Sequence, residues 1–129
     1  MASQTISFSS TGSFANTERF LKRIVSGEIY RVLNNYGSIG TRGLAAATPS
    51  ESGETAASWY HEIEITPTSA SISWKNRHMA GAVPVVVLIQ FGHGTGTGGY
   101  VPGRDFINPI MRPLFDQIAN EVWKQVTSA

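Results

Sequence analysis

Apolar and polar positions alternate or recur along this chain in five runs, separated by turn residues. Residues 5–9, Thr-Ile-Ser-Phe-Ser, alternate polar and apolar, which predicts a short strand. From Thr17 to Asn35, Leu21, Ile24, Val25, Ile29, Val32 and Leu33 recur at helical spacing, and Tyr36 continues the stripe. Glu18 stands in the first turn, where the helix dipole favours an anion; Gly37 and Gly40 are expected to end the helix. Residues 57–66 put Trp59, His61, Ile63 and Ile65 on one strand face, with Tyr60, Glu62 and Glu64 on the other. After a Pro67-Thr68 turn, residues 69–75 bring Ala70, Ile72 and Trp74 to one face. Two alternating runs joined by a short turn predict a β-hairpin.

Residues 83–91, VPVVVLIQF, are nearly all apolar. That run predicts a central strand covered on both faces, with Pro84 ahead of its ladder and Phe91 at its buried end. Asn108-Pro109 predicts a helix start, a side-chain cap followed by proline at the first helical position. Ile110, Leu114, Phe115, Ile118, Val122, Trp123 and Val126 carry that helix's apolar stripe. Pro113, which has no N–H to give, predicts a kink or a two-step start.

Residues 38–55 are rich in Gly, Ala, Ser and Thr and show little periodicity, so they are expected to form a long surface loop. The order is strand, helix, loop, three strands, helix. The expected fold is α+β: a small antiparallel sheet of about four strands packed by two amphipathic helices, with long loops. Residues 1–129 are expected to be one domain, with residues 1–15 as an N-terminal strand or arm.

Composition narrows the function classes. The chain has no cysteine, which removes disulfide frameworks, thiol catalysis and thiolate-bound zinc. Ten Lys and Arg against nine Asp and Glu leave a net charge of +1, which does not mark a nucleic-acid or membrane-surface protein. No apolar run approaches the roughly 18–20 residues that cross a bilayer. The start, MASQTISFSS, lacks the basic and apolar parts of a secretory signal, so a soluble protein is expected.

The stretch FGHGTGTGGYVPGRD, residues 91–105, holds six of the thirteen glycines, and Gly94, Gly96 and Gly99 spell G-x-G-x-x-G. A dinucleotide fingerprint needs these glycines to turn from a strand directly into a helix. Here Tyr100, Val101, Pro102 and Gly103 follow, and Asp116 and Glu121 fall within a helical stripe where a second strand should close. The P-loop pattern is also missing. His61, His78 and His93 lack metal-site spacing; His61 reads as a half-buried strand residue and His93 as an exposed loop residue. Glu62 and Glu64 share a strand face about 7 Å apart, a glycosidase-like spacing, but nothing else marks a sugar site. Ser58 lacks the surroundings of a nucleophile elbow. Residues 75–78, Lys-Asn-Arg-His, read as a solvated turn able to touch an acidic partner or phosphate. The residues supply no catalytic, cofactor or metal set.

Three segments taken in order resemble a known family: GSFANTERFLKR, ATPSESGETAASW, and QFGHGTGTGGYVPGRDFINPIMRPLFDQIANEVWK. They are similar to the tail-component family of long-tailed bacteriophages, the minor structural proteins like gene product ten of the Hong Kong 97 phage. The middle motif reads Thr48-Pro49, then Gly53 and Ser58, with Ser50, Glu51 and Ser52 where the family has Val-Asp-Thr. The late motif is Phe91-Gly92, a loop, then Phe106, Pro109 and a helix. The resemblance implies a non-enzymatic virion protein of the neck or head-proximal tail end, active in tail completion or head–tail joining. It implies no cofactor and a homo-oligomeric ring, commonly of six copies, against tail-tube, terminator or connector proteins. Assembly would take place in the host cytoplasm, without a membrane partner.

Ring subunits need elements that reach neighbours. The expected inter-subunit contact is the loop of His93, Gly94, Thr95, Gly96, Thr97, Gly98, Gly99 and Tyr100, with the arm around Ile6 and Phe8 and the loop 38–55 as further reaching elements. DNA passing through such a ring would meet Arg42, Lys75, Arg77 and Arg104. Two other classes stay open at this point: a small nucleotide- or ligand-binding enzyme using the Gly94–Gly99 loop, and a DNA-contacting lumen protein of the connector.

Overall fold

The computed structural model describes residues 3–9, 14–49, 53–94 and 96–127. Its sheet follows from the alternating runs. Strands β1 (Ser3–Ser9), β2 (Trp59–Ile65) and β3 (Ser69–Asn76) pair antiparallel in the order β1-β3-β2. Ile72 on the central strand stands in register with Ile63 on one side and Ile6 on the other. Ala70, Ile72 and Trp74 are fully buried, whereas Ser71, Ser73 and Lys75 between them are half-exposed, so one sheet face is packed and the other is open. The Thr66 hydroxyl accepts the Ser69 N–H at 3.0 Å and holds the hairpin turn.

The single helix expected over 17–35 is two helices, α1 (Phe14–Val25) and α2 (Glu28–Ala47), broken at Gly27, whose φ of 81° only glycine adopts readily. Gly37 and Gly40 do not end α2. They lie buried within it, and the helix runs through most of the loop expected over 38–55. A short helix α3 (Glu54–Ala57) occupies the end of that segment, and residues 50–52 lie outside the described residues. The reason is packing. Ile29, Leu33, Gly37, Gly40 and Leu44 form a continuous helical stripe in which the two glycines leave seats for side chains from the sheet. The His61 ring fills the space a Cβ on Gly37 would need, and a Cβ on Gly40 would sit 2.6 Å from Trp74 Nε1. Trp74 Nε1 donates to the Gly37 carbonyl at 3.0 Å, which satisfies the indole in the core.

The apolar run 83–91 is not a central strand. Val83–Pro84 (β5) pairs with Met79–Ala80 (β4) in a tight hairpin, and Val85–Phe91 then forms the helix α4. Both neighbours of β3 are already taken by β1 and β2, so the run packs one side through Val86 and Ile89 and leaves Phe91 71 % exposed. A short apolar run without alternation suits either element, and here tertiary packing chose helix. Strands β6 (Gly92–Gly94) and β7 (Tyr100–Pro102) follow, then helix α5 (Asn108–Thr127).

Helix α5 is continuous through Pro113, although the Pro109 carbonyl loses the intrahelical donor that any residue other than proline would supply at that position. Its buried stripe is Met111, Leu114, Ile118, Val122 and Val126; Trp123, expected on the stripe, is 60 % exposed. Likewise Val25 falls off the stripe of α1, where Phe20 and Ile24 are buried instead. Helix α2 lies against β2 and β3, and α1 and α5 pack upon it and upon each other. The α+β fold thus has one core, in which Leu33, Leu44, Ile72, Trp74 and Ile118 are fully buried.

Candidate functional site

The glycine-rich stretch forms a ribbon. Gly92 leaves α4 at φ 82° and ψ 171°, and the two short strands pair Gly92 with Pro102, His93 with Val101 and Gly94 with Tyr100. A Cβ at Gly92 would meet the Val101 carbonyl oxygen at 2.5 Å and the Gly103 nitrogen at 2.6 Å, so backbone lies directly on backbone. Gly103 is equally confined, with the Gln90 oxygen 2.6 Å from where its Cβ would stand. At the tip, Gly96 and Gly98 take positive φ, and Thr95 lies outside the described residues.

The base of the ribbon is closed by polar groups, of which Gln90 and Asp105 are not among the residues expected to form the contact. Gln90 Nε2 donates to Asp105 Oδ1 at 2.7 Å, while Gln90 Oε1 accepts the Phe106 and Ile107 N–H groups at 3.2 and 3.3 Å. The Arg104 N–H donates to the Ile89 carbonyl at 2.9 Å, and Tyr100 Oη donates to the Phe91 carbonyl at 3.1 Å. Asp105 Oδ1 also accepts the Asn108 N–H at 3.1 Å. Asp105, not Asn108, therefore supplies the cap of α5, and Asn108 is already the first helical residue. The Gln90 hydrogen bond, followed by the Asn108 backbone bond, holds the Asp105 carboxyl below its usual pKa. The signals were present in the sequence: Gln90 is the only polar residue in its apolar run, and Asp105 stands three residues before Asn108.

Above this base the ribbon displays apolar surface. Tyr100 is 65 % exposed, Val101 is exposed beside it, and Phe91 stands at the junction with α4. Gly94, Thr97, Gly98 and Gly99 are exposed; His93 is half-buried, and its Nδ1 is buried without a hydrogen-bond partner. The geometry of a dinucleotide fingerprint is not formed here. A helix precedes the glycines instead of a strand, and the next helix starts only at Asn108.

Of the four cations expected to line a DNA path, Lys75 and Arg77 lie about Tyr60, whereas Arg42 and Arg104 are on other elements. Lys75 lies on the open sheet face, bonded to Glu62 at 2.9 Å, and that hydrogen bond raises its pKa. Arg77 lies over the Tyr60 ring at 3.7 Å from its centroid, a cation–π contact. Arg42 stands exposed on α2, the helix that covers the opposite sheet face, and Arg104 is at the base of the ribbon. Of the two glutamates, Glu62 is thus engaged by Lys75; Glu64 lines the same shallow hollow as Ser71 and Ser73.

Residues 75–78 are not a solvated turn. Asn76 is buried, donating through Nδ2 to the Thr55 carbonyl at 2.8 Å and accepting the His78 N–H at 2.9 Å. His78 Nδ1 lies 2.6 Å from the Thr55 hydroxyl, and its Nε2 lies 3.4 Å from Glu54 Oε2. This hydroxyl–imidazole–carboxylate chain has the connectivity of a nucleophile, base and orienting group. Thr55, however, is only 2 % exposed, so no substrate can approach its oxygen, and the knot ties α3 to the end of β3. His61 clasps α2 in the same manner, with Thr41 Oγ1 3.3 Å from Nδ1 and Asn34 Oδ1 3.2 Å from Nε2. Burial lowers its pKa, as suits the half-buried strand histidine expected at that position.

The arm around Ile6 and Phe8 lies in β1, whose backbone is paired to β3. No group of three or more His, Asp or Glu residues able to hold a metal occurs among the described residues, and no described helix is long and apolar enough to cross a membrane. The ribbon, anchored at its base and exposed above it, is the candidate site. No protein-family model, curated protein or solved structure matches the chain.

Proposed function

We propose that the protein is a non-enzymatic virion component of the neck or head-proximal tail end of a long-tailed phage, serving tail completion or head–tail joining. It acts as a ring subunit through protein–protein contacts, and the β6–β7 ribbon is its principal contact. The observation that carries this reading is a ribbon anchored at its base yet presenting Phe91, Tyr100 and Val101 to solvent. Exposed apolar surface on a pre-ordered element marks an interaction site, because little entropy remains to be lost on binding. The ordered resemblance of three segments to phage tail components supplies the biological setting. In that setting the protein resides in the virion and is assembled in the host cytoplasm.

The test is to replace residues 95–99 with Asn-Gly. Gly94 and Tyr100 are already paired, so a two-residue turn closes the shortened ribbon without strain. The purified variant should melt as the parent does, while virus carrying it should accumulate unjoined heads and tails and lose infectivity. Full infectivity with intact particles would remove the ribbon's assembly role.

A further inference from the structure

Among the described residues the three-stranded sheet ends at β2, and the order of its hydrogen bonds fixes which backbone groups face outward. In an antiparallel ladder, bonded and non-bonded pairs alternate. The Arg77 N–H donates to the Ser58 carbonyl at 3.1 Å, and the Thr66 N–H donates to the Ser69 carbonyl at 2.9 Å. The register between these two pairs is unbroken, so Tyr60, Glu62 and Glu64 bond to β3. His61, Ile63 and Ile65 therefore turn their N–H and C=O groups away from β3, and no other element among the described residues bonds to them. The start of the strand is covered, since Trp59 is buried against Phe106. Toward the hairpin the edge opens: Ile63 is half-buried, and Glu62, Glu64 and Ile65 are exposed. This stretch has no proline, lysine or bulge, the usual protection of a free edge.

We propose that the edge from His61 to Ile65 is a docking site for an extended segment of a partner protein, which adds to the sheet as a fourth strand. Its chemistry follows from the two faces of β2. An added antiparallel strand sets residues opposite His61, Ile63 and Ile65 in bonded pairs, and residues opposite Glu62 and Glu64 in the closer, non-bonded pairs. Ile63 and Ile65 call for apolar neighbours. On the open face Glu62 is engaged by Lys75, whereas Glu64 has no cation within ion-pair distance among the described residues. The residue opposite Glu64 is therefore a lysine or arginine, and the segment alternates apolar and cationic positions. No described strand of a second copy meets that pattern. Strand β1 has no cation, β3 is paired on both sides, and β4 to β7 are two or three residues long. A second β2, centred on Ile63, would set glutamate against glutamate. This surface is separate from the ribbon, and the inference does not depend on the ribbon's role.

The probe is a capped synthetic peptide, Thr-Val-Lys-Val-Lys-Val-Thr, whose pattern reads alike in both directions. Titrated into the folded chain, it should bind with sub-millimolar affinity, shift the Ile63 and Ile65 amides in NMR spectra and slow their exchange with solvent. Methylating the three valine nitrogens removes the donors that face β2 and should weaken binding by an order of magnitude or more. Glutamates in place of the lysines should weaken it several-fold, and Glu64→Lys in the protein should reverse that preference. Ile65→Pro deletes an outward N–H and no bond to β3, so this variant should melt near the parent yet bind the peptide more weakly. No binding, equal binding of the methylated or acidic peptide, or shifts confined to another element would overturn the proposal. Ile63 and Ile65 amides that gain protection with protein concentration alone would assign the edge to a second copy, and overturn it as well. A chain with the shortened ribbon should bind the peptide as the parent does, which keeps this test apart from that of the proposed function.

Discussion

Two regions of this molecule depend on glycine for opposite reasons. In α2, Gly37 and Gly40 sit in ordinary helical conformation, buried, where their missing side chains admit the His61 and Trp74 rings. In the ribbon, Gly92, Gly96 and Gly98 adopt positive φ, and at Gly92 and Gly103 backbone packs on backbone. The first use serves the core and is coupled to the whole fold. The second shapes an exposed surface element outside that core. Glycine in a sequence thus signals either a seat or a turn, and only the partner distinguishes them.

Removing the guest from the seat should have the largest effect. Trp74→Ala empties the space over Gly40 and deletes the bond to the Gly37 carbonyl, and should cost about 3–5 kcal/mol in urea unfolding. A loss well under that range would mean that the seat collapses readily and that the glycines are dispensable. Filling the seat comes next. Gly40→Ala gains up to about 1 kcal/mol of helix propensity but overpacks against the Trp74 indole and Leu114, a cost of about 1–3 kcal/mol. The net should be destabilising. Gly37→Ala should be milder, because the half-exposed His61 ring can swing away; a reversed order between the two variants would contradict the packing account.

Gly92→Ala should act locally. The added Cβ meets backbone on two sides at a positive φ, so the ribbon must open, and the Arg104 N–H to Ile89 bond should exchange with solvent far faster. The amides of β3 should keep their protection. Global unfolding on Gly92→Ala would show that ribbon and core are one cooperative unit, which would erase the contrast.

The smallest effect concerns pH. Burial lowers the pKa of His61 from 6.5, so the unfolded chain binds this proton more readily than the folded one. The stability from this clasp is therefore complete above about pH 6.5 and falls as pH drops from there toward the folded pKa. The parent should lose more stability than His61→Gln between about pH 7.5 and about pH 5, with unfolding midpoints as the measure. Identical slopes would place His61 outside the energetic coupling of α2 to the sheet.

Much of the fold was legible in residue patterns. The hairpin of β2 and β3, the start of α5 and the buried face of Ala70, Ile72 and Trp74 follow from alternation and from Asn108-Pro109, because those signals are local and point one way. The elements misread share one cause. Gly37 and Gly40 looked like stops, and residues 83–91 looked like a strand, because each local signal admits two structures and a distant partner decides.

The candidate site divides in the same way. Sequence alone singled out the glycine stretch, placed it between an apolar run and a helix, and weighed against a nucleotide cradle, since Pro102 and Gly103 keep any helix from starting there. It could not separate Asp105 from Asn108 as the cap, or see that Gln90 closes the ribbon base from the preceding helix. The Gln90 assignment rests on hydrogen bonds between residues about fifteen positions apart, and the cap rests on which of two nearby polar residues the backbone turns toward the helix N–H groups; the core beneath α4 and α5 sets both. Tertiary structure alone decided which apolar residues remain outside, Phe91, Val25 and Trp123 among them, because a helix stripe shows its burial only when its neighbours are in place.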